Sequence, residues 1–410
     1  MQPSINEVVK TLPPETQRQL RDVWAGLSSE EQEALQSIVR GVPSDRQLLR
    51  LLFGMASTHV KTAFGRKHKV AIVGPANVGK STLYNQFIQE KQAAAAVSPV
   101  PGTTRVIQEA EAGLFTVVDT PGADAVGPIG AVERQRALDA ARTADFLIIL
   151  FDTIQGIKRN ELEVFEELAA LNKPHVVVLN KSDLAKRDLE AVIQGVASNL
   201  GLKPEQVIPI SAKYGINVGR VLMAIAVSEP ALVVALGNAM PAYRGKLASR
   251  SIITAAGLSA VIALTPIPII DFVPLVTTQA VMVVGIGRIH GRPITLSLAK
   301  ELVATFGLGL AGRTLFQELS KLGGVPGWLL SAAIASSTTV VMGYAASVWF
   351  ERGERVSPAA LKQMTEQLTA AMLAALRSLG RRRPNEVLLK ERIEQVLQTY
   401  PLTADGPAKE

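Results

Sequence analysis

The chain has 410 residues, of which 48% are hydrophobic and 19% charged, with no cysteine and a formal net charge of +7. That length fits two or three domains better than one core. The composition excludes a disordered, collagen-like or disulfide-built chain, and the missing cysteines exclude thiolate metal sites and cysteine nucleophiles. The positive balance admits nucleic acid or an anionic membrane as partner and does not choose between them.

Taken in chain order, residues 1–67 read as helices. Pro13–Pro14 opens one, Ser28-Ser29-Glu30-Glu31 is a capping box for a second, and Ser44-Asp45-Arg46-Gln47 is a box for a third that carries Leu48, Leu49, Leu51, Leu52, Phe53, Met55, Val60 and Phe64. The start, MQPSINEVVK, has no basic end followed by an apolar core, so no signal peptide is expected there. Residues 68–228 then alternate β-rich runs with helical patterns, as βαβ units do. The runs are HKVAIVG (68–74), LFTVVDT (114–120), FLIILFD (146–152), HVVVLN (175–180) and VIPIS (207–211), almost wholly apolar as buried parallel strands are.

Four motifs sit at the ends of these runs. Gly74-Pro75-Ala76-Asn77-Val78-Gly79-Lys80-Ser81-Thr82 matches G-x-x-x-x-G-K-[ST] between a strand and a helix. Its glycines turn backbone N–H groups around phosphate oxygens, Lys80 reaches the β- and γ-phosphates, and Ser81 ligates Mg²⁺. Asp119-Thr120-Pro121-Gly122 ends the next strand: Asp119 is placed to hold Mg²⁺ through water and the Gly122 N–H to sense a γ-phosphate. Asn180-Lys181-Ser182-Asp183 ends another. An Asp183 carboxylate accepts from both N1–H and the N2 amino group of guanine, which adenine lacks, while Asn180 and Lys181 brace the loop and cover the base. Ser211-Ala212-Lys213 ends the last, with the Ala212 N–H facing guanine O6. Each is weak alone. Their order and their place at strand C-terminal ends, where open α/β sheets bind ligands, make them strong together.

On these motifs residues 68–228 resemble a GTPase domain of the TrmE/Era type. The resemblance implies that Ala93–Arg105, ending Pro101-Gly102-Thr103-Thr104-Arg105, is a switch segment in which Thr104 closes on Mg²⁺ and the γ-phosphate. Val106 stands where the TrmE branch usually has an acidic residue. Asn77 lies where potassium-activated members carry an asparagine, whose amide oxygen would help hold K⁺; equally, asparagine suits a tight loop. Ala123 occupies the place of the water-orienting glutamine of Ras-like enzymes, so intrinsic hydrolysis is expected to be slow. Glu133 and Asp124 lie nearby and read as surface residues. His59, His68, His175 and His290 are too scattered to suggest a metal cluster.

Between Ser251 and Phe350 only Asp271, Arg288, Arg292, Lys300, Glu301, Arg313, Glu318 and Lys321 are charged. Uncharged runs cover Ser251–Ile270, Phe272–Gly287 and Leu322–Phe350. Trp328 and Trp349 are about 31 Å apart along a helix, close to the hydrocarbon thickness of a bilayer. The small residues between them let helices approach closely. Pro266, Pro268, Asp271 and Pro274 read as a turn between two helices of about sixteen residues, a re-entrant or shallow hairpin. The segment around Arg288, His290, Arg292 and Lys300 is expected at a cytosolic surface. A soluble bundle with unusually apolar buried faces is the competing reading. This region resembles the membrane-associated domain found behind Era-like GTPases in bacteria and in YcjF-type proteins.

Ser357-Pro358 starts a last helical part with an apolar stripe of Leu361, Met364, Leu368, Met372 and Leu376, then Arg381-Arg382-Arg383 and a second helix from Asn385 to Tyr400. The expected architecture is therefore an α/β P-loop GTPase domain, a mostly parallel sheet flanked by helices, at 68–228. Helical 1–67 precedes it. A hydrophobic membrane-associated helical domain at 229–350 and amphipathic helices at 351–410 follow. The expected function is a membrane-associated GTPase using Mg²⁺, with K⁺ implied only by the resemblance. Its partners would be GTP/GDP and membrane lipid, with self-association in the GTP state, at a bacterial inner or internal membrane with the GTPase domain cytoplasmic. No terminal region concentrates positive charge: residues 1–67 carry nine basic and seven acidic side chains and 351–410 carry ten and eight. No strong sign of nucleic acid follows. A soluble Era-like RNA or ribosome-assembly GTPase, and a GTP-binding scaffold with negligible hydrolysis, remain as alternatives.

Overall fold

The computed structural model describes residues 24–25, 27–39, 46–67, 69–94, 113–119, 128–154, 157–185, 188–264, 273–309, 327–377 and 386–399. In chain order these form α1 (Ser29–Val39), α2 (Arg46–Phe64), β1 (Val70–Gly74), α3 (Lys80–Ala94), β2 (Phe115–Asp119), α4 (Pro128–Thr143) and β3 (Phe146–Asp152). There follow α5 (Arg159–Ala170), β4 (His175–Asn180), α6 (Leu189–Asn199), β5 (Val207–Pro209), α7 (Val218–Ser228) and α8 (Val233–Ala239). The last are α9 (Arg244–Leu264), α10 (Val273–Ile289), α11 (Leu296–Gly309), α12 (Gly327–Arg352), α13 (Pro358–Arg377) and α14 (Glu386–Thr399). The chain divides into two compact units, one of residues 66–244, the other joining 1–65 to 245–410.

Among the described residues, the unit of residues 66–244 forms a five-stranded parallel sheet in the order β2-β1-β3-β4-β5, flanked by helices. Every residue of β1 and β3 is buried, which explains their unbroken apolar sequences. All five expected strands form. Parallel pairing brings every strand's C-terminal end to one edge, and with them the described residues of the four motifs. Each return to that edge needs a helical crossover, supplied by α3 to α6.

One of these crossover helices begins near that edge with a charge under strain. Glu161, in the first turn of α5, accepts a hydrogen bond from the Lys158 N–H at 3.2 Å and is only 6% exposed. Burial pushes its carboxyl above the ordinary range; the Lys158 N–H and charge oppose the shift, and Asp152 adds to it. The folded state therefore holds this proton more tightly than the unfolded chain, and stability falls as pH rises from the ordinary carboxylate range through the raised pKa. Glu161→Gln keeps the cap acceptor and removes the charge. Its thermal midpoint should rise by about 2–4 °C at pH 7, the shift produced by about 1 kcal/mol in a domain of this size, and should be unchanged near pH 4.

The second unit is helical, with one apolar core drawn from α1, α2, α9, α10, α11, α12, α13 and α14. Helices α2, α10 and α12 are the most enclosed. His59 of α2 is fully buried and its Nε2 lies 2.9 Å from the Thr278 carbonyl of α10. The amphipathic helices lie outside. In α1, Ser28 and Glu31 form the expected reciprocal capping box, and Glu30, Glu33 and Gln36 face water. In α13, Ser357 caps the helix through the Ala360 N–H at 3.2 Å. The whole stripe Leu361, Met364, Leu368, Met372 and Leu376 is buried, while Lys362, Gln363 and Glu366 are exposed. Burying each stripe residue stabilises by about 1.5–3 kcal/mol.

Among the described residues, two stretches are long and apolar enough to cross a membrane by length and composition: Pro241–Ala263 and α12. Both are largely enclosed in this structure, α12 with 78% of its most apolar stretch buried. One expectation changes here. Helix α9 runs back to Arg244, beyond the expected sixteen residues, because Lys246 and Arg250 end an uncharged run without breaking a helix. In the segment expected at a cytosolic surface, Arg292 is exposed, Arg288 half-buried and His290 buried. The Arg288 guanidinium lies over the Phe64 ring, 4.8 Å from its centre, and His290 is 8% exposed. Of the expected proline turn, Pro266, Pro268 and Asp271 lie outside the described residues, as does the arginine run 381–383, while Pro274 is buried in the first turn of α10.

Candidate functional site

Strand β1 delivers the chain into the loop 75–79 and helix α3 takes it away at Lys80. The loop is tight for specific reasons. Gly79 has φ +97°, and a β-carbon there would stand 2.3 Å from the Asn180 amide nitrogen. At Gly74 a β-carbon would stand 2.2 Å from the Leu150 carbonyl oxygen on β3. Asn77 also lies in the left-handed region, φ +64°, with its side chain exposed. Lys80 is 4% exposed, and its ammonium donates to the carbonyls of Gly74, at 2.8 Å, and of Pro75. The loop's own carbonyls thus hold the cation under the phosphate cradle. Ser81 and Thr82 are exposed on the first turn of α3, where the helix dipole favours negative charge.

Three loops meet at one side chain. Asn180, the last residue of β4, is 3% exposed. Its Nδ2 donates to the Val78 carbonyl in the phosphate loop at 2.8 Å, and its Oδ1 accepts from the Ala212 N–H at 2.9 Å. The Ser182 N–H donates to the Ile210 carbonyl at 3.0 Å, which lays the 181–183 turn beside 210–212. The loop expected to hold phosphate and the two expected to hold a base are therefore one assembly. In this structure the Ala212 N–H is engaged by Asn180, so a guanine O6 would share or displace that acceptor. The Ser211 hydroxyl in the same assembly is fully buried with no hydrogen-bond partner, which leaves a polar group for a rearranged or occupied site to satisfy. Asp183 is half-buried and Lys213 exposed beside Tyr214, with its ammonium 5.1 Å from the ring centre.

One participant escaped the sequence reading. Asp152, the last residue of β3, has a side chain 1% exposed, and its Oδ2 accepts from Lys181 Nζ at 2.8 Å. Its Oδ1 accepts from the Ile154 N–H at 3.1 Å. Lys181 has φ +62°, and its carbonyl accepts from the Thr153 hydroxyl at 2.8 Å. The ion pair fixes the lysine expected to cover the base. The signal available in sequence was an acidic residue closing an otherwise apolar buried strand.

The Mg²⁺ expected from the sequence fits the residues present. Register pairs Asp119 with Gly74, so the last residue of β2 lies beside the start of the phosphate loop, and Ser81 is exposed at the loop's far end. Thr104 and Gly122 lie outside the described residues, as do Val106, Ala123 and Asp124, and only the backbone is described for Asp119 and Glu133. Among the described residues no group of three or more His, Asp or Glu forms a further metal site.

Residues 69–181 match the family described as 50S ribosome-binding GTPase, and residues 239–374 match a domain of unknown function, DUF697. GTPase Der of Symbiobacterium thermophilum is 38% identical over 171 residues, 40% of this chain and 35% of Der. The tRNA modification GTPase MnmE of a Synechococcus species is 31% identical over 253 residues, 59% of this chain and 50% of MnmE. The chain thus spans a third to a half of the length of these curated relatives. Among solved structures, Era of Aquifex aeolicus bound to GDP and AlF4⁻ is similar at 23% identity and TM-score 0.30, over 48% of this chain and 67% of that one. The chain joins a P-loop GTPase domain with bacterial Der and MnmE among its relatives to a domain of the DUF697 family.

Proposed function

We propose that this chain binds GTP, hydrolyses it to GDP and phosphate, and acts as a nucleotide-dependent switch at a membrane. The carrying observation is the Asn180 amide, which ties the phosphate loop to both base loops. In this reading the N–H groups of 76–80 and Lys80 bind the β- and γ-phosphates. Asp183 selects guanine, with Ser211, Ala212 and Lys213 closing over the base. Ser81, Thr104 and Asp119 would hold Mg²⁺, which supplies charge neutralisation between the β- and γ-phosphates when bound. Thr104 and Gly122 would order their loops on the γ-phosphate and release them after hydrolysis. Ala123 offers no side chain to orient water, so turnover is slow, raised by self-association of the GTP form or by K⁺ held at Asn77. Equal turnover in sodium and potassium buffers would reject the potassium role.

Membrane association rests on the two long apolar helices and on the DUF697 match, and it sets the GTPase domain on the cytoplasmic face of a bacterial inner or internal membrane. A soluble ribosome-assembly role draws support from the name of the matched GTPase family. Fractionation with a carbonate wash separates the two: recovery wholly in the soluble fraction overturns the membrane reading. Phosphate release measured with and without liposomes distinguishes hydrolysis from mere binding.

Two substitutions probe the base loops. Asp183→Asn should weaken GTP binding and favour xanthosine nucleotides; unchanged GTP affinity rejects the assigned role. Asp152→Asn keeps the Ile154 N–H acceptor and discharges the partner of Lys181. It should raise the GDP dissociation constant about tenfold, the equivalent of one charge-assisted hydrogen bond, with little change in thermal midpoint. A nucleotide affinity equal to wild type would show that the ion pair is structural only.

A further inference from the structure

Helix α12 poses a problem of cover. It has 26 residues and no charge before Glu351, and would be about 39 Å long. Its principal neighbour in the helical unit is α13, a helix with water on its other side. Five hydroxyls of α12 lie within bonding distance of carbonyls of α12 itself. Ser336 donates to the Ala332 carbonyl at 2.9 Å, Ser337 to Ile334 at 3.1 Å, Thr338 to Ile334 at 2.7 Å, Thr339 to Ala335 at 2.7 Å and Ser347 to Gly343 at 3.0 Å. On the facing side of α13 the same holds: Thr365 donates to the Leu361 carbonyl and Thr369 to the Thr365 carbonyl, each at 2.7 Å. The Ser337 and Thr369 hydroxyls also meet across the two helices at 2.6 Å, where one of them gives its proton to the other instead of to its own helix. Separating them would leave each of these five hydroxyls a carbonyl acceptor within α12, as polar groups need in hydrocarbon.

We infer that the face of α12 covered by α13 is a lipid-docking surface, and that α13 is its removable cover. This rests on the membrane association proposed above and adds where the bilayer makes contact. Water is a poor exchange for this contact, since the five-residue stripe of α13 would be exposed to it. A bilayer accepts both helices. Hydrocarbon takes the α12 face, flanked by Trp328 and Trp349 at interfacial spacing. The stripe of α13 lies in the headgroup boundary with Lys362 and Arg377 toward anionic lipid. The joint is the connection 353–357, exposed at Gly353, Glu354, Arg355 and Ser357.

The natural absence of cysteine makes the contact lockable. Ser337 and Thr369 approach closely enough for a disulfide in the double variant Ser337→Cys with Thr369→Cys. The full chain is floated with phosphatidylglycerol-containing vesicles, oxidised and then reduced. Oxidised protein should float at least tenfold less than reduced, and reduction should restore flotation to the wild-type level. A second variant, Leu368→Ala with Met372→Ala, loosens the cover without a lock and should float severalfold more than wild type. Equal flotation of the oxidised and reduced forms overturns the docking face while leaving membrane association standing, and so does a loosened cover that floats no better than wild type. Wild-type protein that never floats overturns the membrane reading itself, and the docking face with it.

Discussion

A buried carboxamide governs the nucleotide unit. Asn180 spends its donor on the phosphate loop and its acceptor on the 210–212 loop, from a position that admits no water. An amide is suited to this because it offers a donor and an acceptor on one rigid plane; a carboxylate or an ammonium would lose one of the two. The glycine at 79 follows from the same contact, since any side chain there would strike the amide nitrogen. The parallel sheet is the frame that brings these loops together, and Asp152 tightens it by anchoring the neighbouring lysine. Loss of the amide would strand a buried carbonyl and a buried N–H, costing about 1–3 kcal/mol for each unsatisfied group.

The helical unit solves a different problem, how to keep apolar helices with hydroxyl-bearing surfaces out of water. Its answer has two layers. Within a helix, Ser and Thr bond back to carbonyls one turn earlier, so their polarity is spent locally. Between helices a few side-chain bonds set registration, as where the Thr339 hydroxyl lies 2.9 Å from the Ser259 hydroxyl and accepts from Gln279 at 3.1 Å. Specificity comes from the second layer and tolerance of an apolar environment from the first. A bundle built this way has little electrostatic reason to prefer one apolar surrounding over another.

The strands were legible because burial on both faces leaves an uninterrupted apolar signature, and the motifs because phosphate and base chemistry demand particular residues at strand ends. The stripe of α13 was legible for the same reason of periodicity. What escaped was of two kinds. The Asp152–Lys181 pair joins residues that are 29 apart in sequence, and nothing local to either marks it. The enclosure of α12 escaped because a hydrophobic run records what a helix can border and not what borders it: hydrocarbon and the packed side chains of α13 look alike from sequence. The contact of Arg288 with the Phe64 ring was illegible for the same reason, since that ring belongs to a helix that precedes the whole GTPase unit.

That last contact bears on synthesis. Helices α1 and α2 leave the ribosome before the nucleotide unit, yet the partners of His59 and Phe64, Thr278 and Arg288, are made after residue 244. The intervening unit takes roughly 10–35 s to translate at about 5–20 residues per second. For that interval α2 has only α1 to pack against from the helical unit, while the nucleotide unit has all its strands and can close. The order of translation thus sets a waiting period that a chaperone, a lipid surface or the ribosome itself must cover, and it makes the amino-terminal helices the most aggregation-exposed part of the newborn chain.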